Sequence, residues 1–229
     1  SPGNEHIADV QVDADGSIYV TGEYGGTLQF GGQSVGSQGG LDVFVARLDA
    51  AGSLIWMRTG GGTGIDRGIK LSLGNGTALA VAGEFMGTAN LFGTSLTSAG
   101  GTADAFVAVL NKSDGTLQWV RQGGGTGGTD SPGGISMGQD GRVTVAGQFR
   151  GTATWESTTL VSTLDPLTSL PSADVFIATY SPTGSLLWLK QGAANKDDKA
   201  VEVVHDADGN LFVTGQYSNT ITFDQTYPN

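Results

Sequence analysis

A five-residue pattern that returns four times constrains the fold of this chain more than any other feature of its sequence. The pattern reads Val, Thr or Ala, Gly, Glu or Gln, and then an aromatic residue, at 20–24, 81–85, 145–149 and 213–217. Two further patterns occur three times each: Asp-x-Phe-Val/Ile-Ala from positions 42, 104 and 174, and Ser/Thr-Leu-x-Trp from 53, 116 and 185. Ordered recurrence of this kind is typical of repeat architectures. We therefore divide a single region, 1–229, into units 5–65, 66–129 and 130–197 and an incomplete fourth unit, 198–229.

Within a unit, the hydrophobic pattern is that of short strands. In the first unit, runs rich in Val, Ile, Phe, Tyr and Trp lie at 8–12, 17–24, 42–48 and 54–58, separated by Asp/Gly/Ser turns. Between the second and third runs, an excursion of about 20 residues carries a short strand of its own, at 27–30, 88–91, 152–155 and 220–223. No segment shows a sustained helical period. The sequence predicts an all-β fold of four-stranded antiparallel β-propeller blades, three full and half of a fourth; a parallel β-solenoid is the alternative.

Composition narrows the class of protein. The chain has 39 Gly and 6 Pro in 229 residues without a three-residue period, which excludes collagen, and 38% apolar residues suffice for a core. A net charge of −11 argues against a nucleic-acid partner, because phosphate binding needs clustered Lys and Arg. No run of about 18 apolar residues exists, so we predict no membrane insertion. The absence of Cys excludes disulfides and thiolate chemistry.

The repeated residues also resemble a known family. The strings DADGSIYVTGEYGGTLQFGG and GGLDVFVARLDAAGSLIWMRTGGGTGID are similar to the SBBP repeat, a β-propeller repeat of bacterial surface and secreted proteins. The resemblance covers nearly the whole chain. It implies a propeller fold and a secreted or cell-surface location, and it brings no catalytic residues with it.

Connectivity predicts where a functional surface lies. If the strands of a unit are named a to d, antiparallel pairing puts the a–b and c–d turns on one face. The b–c excursions and the d–a links at 59–65, 122–129 and 191–197 share the opposite face, which we call the loop face. Because binding sites favour loops held by a rigid scaffold, we expect a protein or glycan partner to bind there.

Acidic residues collect at this face in a fixed register. One lies 17 residues before each repeated glycine, and another opens each strand c; the set is Glu5, Asp66, Asp130 and Asp198, and Asp42, Asp104 and Asp174. They could form a ring that binds Ca²⁺ or a cationic or polyhydroxylated ligand. They could instead accept hydrogen bonds from loop amides that would otherwise be unpaired. One acid per unit favours the structural role, so we predict no cofactor and no metal, with Ca²⁺ as the alternative.

The third excursion, 149–173, is the longest and carries residues without counterparts. Its candidate ligand-binding residues are Trp155, Glu156, Leu164, Asp165 and Leu167. An apolar loop either packs on its blade or meets a partner, and we expect these leucines to pack. Glu156 and Asp165 are the only candidates for an acid that is confined to one unit and faces the channel, so they carry the alternative function, a hydrolase or lyase acting on polysaccharide. Equivalent acids in equivalent settings favour the other hypothesis, a non-enzymatic binding, adhesion or spacer module.

Two further expectations concern packing and completeness. The residues 12 positions before each repeated glycine, the strand-c Phe and the strand-d Trp should be buried between blades. These are Val10, Leu71, Ile135 and Val203; Phe44, Phe106 and Phe176; and Trp56, Trp119 and Trp188. The fourth unit lacks strands c and d, and an open arc would leave apolar faces and a bare strand edge. We therefore expect further blades of a longer chain, about seven in all, or a covering chain.

Overall fold

A computed structural model describes residues 4–74 and 76–223, and the backbone of Tyr227 and Pro228. Throughout this part of the chain the regular structure is β-strand, so the predicted all-β class is confirmed. In the same residues, no helix is long and apolar enough to cross a membrane.

The strands follow the repeated units. Unit 1 contains β1 (Glu5–Val12), β2 (Ile18–Tyr24), β3 (Thr27–Phe30), β4 (Gln33–Gly36), β5 (Asp42–Leu48) and β6 (Leu54–Gly62). Unit 2 contains β7 (Arg67–Leu73), β8 (Ala78–Met86), β9 (Thr88–Leu91), β10 (Thr94–Thr97), β11 (Ala103–Asn111) and β12 (Leu117–Thr126). Unit 3 contains β13 (Ser131–Met137), β14 (Val143–Arg150), β15 (Thr152–Trp155), β16 (Thr158–Val161), β17 (Ala173–Tyr180) and β18 (Leu186–Ala193). Unit 4 contains β19 (Lys199–His205), β20 (Leu211–Gln216), β21 (Thr222–Phe223) and β22 (Tyr227–Pro228).

Each complete unit folds as a four-stranded antiparallel sheet in chain order. Strands a, b, c and d are β1, β2, β5 and β6 in unit 1, and the same order holds in units 2 and 3. The repeated glycine of strand b pairs with the repeated Phe of strand c, as in Gly22 with Phe44 and Gly83 with Phe106. Gly has no Cβ, so the Phe ring can lie across it: a Cβ on Gly83 would approach the Phe106 ring to 2.5 Å. The repeated Gly and the repeated Phe are thus explained by the packing of strand b against strand c.

The excursions of units 2 and 3 form hairpins that join the preceding unit, an attachment that the sequence did not predict, whereas the hairpin of unit 1 forms a separate two-stranded sheet. Each holds two strands rather than one, and we call β3–β4, β9–β10 and β15–β16 the outer hairpins. β9 pairs with β6, β15 pairs with β12, and β21 pairs with β18, in each case at the free edge of the previous strand d. Strand d consequently runs into the glycine-rich links that we expected to be loops. A Cβ on Gly125 would lie 1.9 Å from the carbonyl oxygen of Thr152, so the approach requires glycine.

Consecutive units also contact one another through their first strands. β1 lies beside β7, β7 beside β13, and β13 beside β19. Side chains of one strand a accept amide hydrogen bonds from the next: Leu71 N donates to Asp9 Oδ2 at 2.8 Å, and Met137 N donates to Ser72 Oγ at 2.9 Å. The first strands therefore form an ordered series along one side of the molecule.

Burial follows the sequence prediction except at the two ends. Leu71, Ile135, Val203, the three strand-c Phe, Trp56 and Trp119 are buried. Val10 is 53% exposed, contrary to expectation, because no strand a precedes β1 within the described residues to cover it. Trp188 is only partly buried. The interior of the molecule thus lies between units, and its incomplete surfaces lie at units 1 and 4.

Candidate functional site: the loop face

The b–c and d–a loops lie together, as the connectivity predicts. Gly40 N donates to the carbonyl of Gly64 at 3.0 Å, which joins the two loops in unit 1. In unit 3, Thr163 Oγ1 donates to the carbonyl of Ala194 at 2.5 Å. The acidic residues of the face lie beneath these loops.

Three carboxylates tie adjacent units together. Asp66, Asp130 and Asp198 each accept one amide hydrogen bond from the end of the preceding strand d and one from the end of their own strand b. The amide donors and N–O distances are Gly62 (2.8 Å) and Met86 (3.2 Å) for Asp66, Gly125 (2.9 Å) and Arg150 (3.0 Å) for Asp130, and Ala194 (2.7 Å) and Ser218 (2.9 Å) for Asp198. Each is buried. We refer to these three residues as the junction aspartates.

Glu5 departs from this series. It occupies the same register as the junction aspartates, yet it is exposed. The described residues contain no preceding strand d whose amide it could receive. Our expectation that it caps a loop is therefore wrong for this residue, and the difference shows that the role depends on a neighbouring unit.

The strand-c aspartates accept loop amides within their own units. Asp42 Oδ2 receives the amide of Gln38 at 2.8 Å, and Asp104 Oδ2 receives that of Ala99 at 3.1 Å. Asp174 is more fully bonded, because the amide of Thr163 at 2.8 Å and Gln191 Nε2 at 2.7 Å both donate to Oδ2, and the Thr163 hydroxyl oxygen lies 2.9 Å from Oδ1.

The second oxygens of Asp42 and Asp104 are buried without a hydrogen-bond partner. They lie against strand d, where a Cβ on Gly61 would come within 2.5 Å of Asp42 Oδ1 and one on Gly124 within 2.6 Å of Asp104 Oδ1. Backbone therefore occupies the space that a bound cation would need on that side. Within residues 4–74 and 76–223, no group of three or more His, Asp or Glu side chains could hold a metal ion.

Burial shifts the titration of these acids upward. It raises the pKa of Asp66 and Asp104 to about 6 and that of Asp130 to about 7, against the amide hydrogen bonds that favour the ionised form. The pKa values of Asp42 and Asp174 are also raised by burial. The charge of a neighbouring aspartate adds to the shift, Asp42 acting on Asp66 and Asp104 on Asp130. The acids thus form buried pairs, one pair at each junction, rather than an open ring.

Trp155 does not belong to the ligand-binding surface that we predicted. It is 1% exposed, and its ring centroid lies 4.8 Å from that of Phe176 and 5.8 Å from that of Phe149. Its hairpin pairs with β12, which places the indole over Gly123, where a Cβ would approach its ring nitrogen to 1.8 Å. Phe30 and Leu91 hold the same position in units 1 and 2, and their apolar side chains could have indicated that Trp155 lies in the core.

The two acids unique to the third unit are not brought together. Glu156 lies in the turn of the outer hairpin, 3.5 Å from Arg121 Nε, and accepts the amide of Leu186. Asp165 lies in the following loop and accepts the amide of Leu167 at 2.7 Å. Among the described residues the two carboxylates share no hydrogen-bond partner, so this arrangement gives no support to an acid–base pair for polysaccharide cleavage.

The loop of residues 162–172, which we call the leucine loop, is the most apolar feature of the loop face. Leu167 is 82% exposed, and Leu164 and Leu170 are also exposed, so our expectation that these leucines pack on the unit is wrong. The reason is local: Asp165 N donates to the carbonyl of Leu170 at 2.9 Å, and the turn closes on itself with its leucines outward.

The base of the leucine loop is firmly held. Ser162 N donates to the carbonyl of Gly151 at 2.8 Å, and Ser172 N donates to that of Thr163 at 2.8 Å. Arg150 reaches from β14 to the carbonyl of Pro171 at 2.5 Å and to Asp197 at 2.9 Å. The loop face therefore presents three exposed leucines on a hydrogen-bonded support.

Comparison with known proteins gives a partial similarity. No protein-family model matches the chain. In an alignment 143 positions long that covers 59% of the chain, the chain is 32% identical to the regulatory protein FlaEY of Caulobacter vibrioides. The matched segment spans 14% of that relative, so the similarity concerns one part of a much longer protein.

Proposed function

We propose that this chain is a segment of a β-propeller of SBBP type, in which each unit is a blade. Two observations support the proposal: strands a of successive units lie side by side in order, and strands d lie at the opposite edge of each sheet, where the next unit adds its hairpin. Blades arranged around an axis would share these features. Further blades, about seven in all, or a covering chain would bury the exposed faces of units 1 and 4.

We further propose that the segment acts outside the cell or at the bacterial surface as a non-enzymatic binding module. The observation that carries this function is the leucine loop, whose exposed apolar side chains stand on a rigid base at the loop face. Exposed apolar patches of this kind mark interaction sites, and leucines contribute to protein contacts rather than to hydrogen bonding of sugars. A protein segment with an apolar surface is therefore the proposed ligand, and the location rests on the SBBP resemblance.

A binding screen with matched variants tests this function. The chain and the variant L164N/L167N/L170N are applied to a random-peptide display library and to a glycan array, with polysaccharide hydrolysis measured in parallel. The control is Ile55→Asn, which changes an exposed apolar residue on strand d.

We expect apolar peptides to be enriched by the chain and by the control and lost with the triple variant. The proposal would be contradicted if every peptide enriched by the chain were also enriched by the triple variant. Glycan hydrolysis that Glu156→Gln or Asp165→Asn abolishes would also contradict it, and this result would restore the enzymatic alternative.

A further inference from the structure

Unit 4 exposes a surface that the three complete units cover with their own strands c and d. Among the described residues, β20 pairs with β19 and leaves its other edge without a strand. Phe212 and Tyr217 are 56% and 60% exposed, whereas Tyr19 and Tyr24, at the same positions of β2, are buried. The comparison within one chain shows what kind of element covers such a surface.

The first requirement of that element is an aromatic side chain opposite the repeated glycine of strand b. A Cβ on Gly147 would meet the ring of Phe176 at 2.8 Å, as one on Gly83 meets that of Phe106. Gly215 pairs with Ala200 of β19, and within the described residues no strand lies on its other side. Gly215 therefore offers a site for a Phe ring on an incoming strand.

The second requirement is a carbonyl group for a tryptophan of the preceding unit. Trp56 Nε1 donates to the carbonyl of Lys112 at 2.9 Å, and Trp119 Nε1 donates to that of Pro182 at 2.9 Å. Both carbonyls lie in the c–d turn of the following unit. Trp188 is the equivalent tryptophan of unit 3, and it faces unit 4.

The third requirement is a turn glycine against the same indole ring. Gly115 and Gly184 adopt φ values of +70° and +85° in the c–d turns, and a Cβ on them would lie 2.7 Å from Trp56 and 2.8 Å from Trp119. Glycine is needed both for its backbone conformation and for the close approach.

A fourth feature, a cation, occurs at one of the two covered junctions: Lys112 supplies it between units 1 and 2, whereas Pro182 holds the same place between units 2 and 3. Beside Trp188, a cavity of about 380 Å³ is bordered by the a–b turns of units 3 and 4, which bring Asp140, Asp206 and Asp208 to it against one Arg142. At the junction of units 1 and 2 the equivalent space holds Lys112. Its Nζ donates to Asp13 at 2.9 Å and to the carbonyl of Gly74 at 2.8 Å, in the two flanking a–b turns.

We propose that the surface formed by β20, Trp188 and the two a–b turns binds a two-stranded β-hairpin with a basic turn. The first strand pairs antiparallel with β20 and places a Phe on Gly215, while the turn supplies a carbonyl and a Gly to Trp188 and a Lys to the carboxylates. The hairpin at 104–121 has this chemistry in Phe106, Lys112 and Gly115. A second copy of the chain is not the source, because its c–d hairpins are already paired within their sheets. The inference does not depend on the leucine loop.

A synthetic peptide with the sequence of residues 103–122 is the probe. Titration calorimetry measures its binding to the chain, and hydrogen exchange measures the protection of the β20 amides. We expect saturable binding with slowed exchange in β20. Trp188→Phe, which keeps an aromatic side chain and removes the indole N–H donor, should weaken binding about tenfold. Ile55→Asn in the protein is the unchanged control, and a peptide with Phe106→Ser should not bind.

Isolated hairpins are only marginally structured, so a tethered version accompanies the peptide. The same sequence is fused behind residue 229 through a flexible Gly/Ser linker, which raises its effective concentration. Protection of β20 by the tethered hairpin, lost with Phe106→Ser in the appended copy, supports the proposal. Unprotected β20 in both formats would overturn it, as would dimerisation of the unmodified chain that buries Phe212 and Tyr217.

Discussion

At the scale of single residues, the junction aspartates show how one side chain can connect two units. Asp130 lies between strands that are adjacent in space but belong to different units, and it satisfies one amide from each. Buried amides without an acceptor are costly. The same atoms therefore stabilise both the loop and the contact between units.

Replacing Asp130 with Ala should destabilise the chain strongly. Two buried amides would lose their acceptor at about 1–3 kcal/mol each, so we expect a loss on the order of 3 kcal/mol in the free energy of unfolding. Urea denaturation at pH 6 measures it, because the pKa of about 7 then leaves the carboxyl largely neutral. Glu5→Ala is the matched control: it has the same register but is exposed, and it should cost less than about 0.5 kcal/mol. Equal effects of the two changes would refute the junction role.

The raised pKa values also predict how stability depends on pH. When the pKa of a carboxyl is higher in the folded state than in the unfolded state, the folded state binds more protons, so stability falls as pH rises. For Asp66, Asp104 and Asp130 this loss runs from about pH 4, near the unfolded pKa, through the folded values of about 6, 6 and 7. We expect a higher urea midpoint at pH 5.5 than at pH 8.

Two features make this pH prediction specific. His205 acts in the opposite direction, since burial lowers its pKa and favours the folded state at higher pH, but it is one group against several carboxyls. The pKa of exposed acids such as Asp114 is lowered, so they titrate below this window. Asp130→Asn should reduce the slope between pH 5.5 and 8, and a midpoint that rises with pH in the unchanged chain would contradict the prediction.

At the scale of elements, the outer hairpins are the feature that differs most from what the sequence predicts. Trp155 lies over Gly123 of β12 and packs against Phe149 and Phe176, so it belongs to a core that units 2 and 3 share. Leu167, 12 residues further along the chain, is almost fully exposed. Residues that share an excursion therefore have different roles.

Truncating these two residues to Ala should give opposite results. Trp155→Ala should cost about 3–5 kcal/mol, as for other buried aromatics, and should speed hydrogen exchange in β15. Leu167→Ala should leave both stability and exchange within about 0.5 kcal/mol of the unchanged chain. Thermal denaturation with exchange measurements on each variant provides the comparison. A small effect of Trp155→Ala would mean that the hairpin is held by its backbone pairing alone.

How far the sequence predicts these elements depends on the strength of their local signals. Asp42–Leu48 and the first strands of the outer hairpins were predicted at their observed bounds, because they are rich in β-branched and aromatic residues between clear turns. The second strands, such as Gln33–Gly36, are short and polar and give little periodic signal. Their attachment to the previous strand d was not predictable, since a pattern within a segment does not say which sheet edge receives it. Among site residues, the aspartates followed from their register, whereas the outward leucines depend on a turn closed by Asp165.

At the scale of the whole molecule, stability should be uneven along the chain. β14 lies between β13 and β17, whereas β20 has a strand on one side within the described residues. Local opening needs fewer broken contacts where a strand is exposed.

Native-state hydrogen exchange should reveal this gradient. We expect the amides of β20 to exchange at least about tenfold faster than the corresponding amides of β14, because opening of β20 breaks one strand pairing rather than two. β2, which is paired on both sides, provides the internal control at the other end of the chain. Uniform protection of β2, β14 and β20 would show that unit 4 is covered in solution.

The hairpins that cross between units also set an order of events on the ribosome. A strand d can leave the exit tunnel and pair with its own strand c, but its outer edge stays bare until the hairpin of the next unit has been synthesised. A unit is therefore finished only by sequence that belongs to its successor. During translation, the most recently synthesised strand d therefore has an unpaired edge. A pause directly after a strand d would prolong the exposure of that edge to other nascent strands.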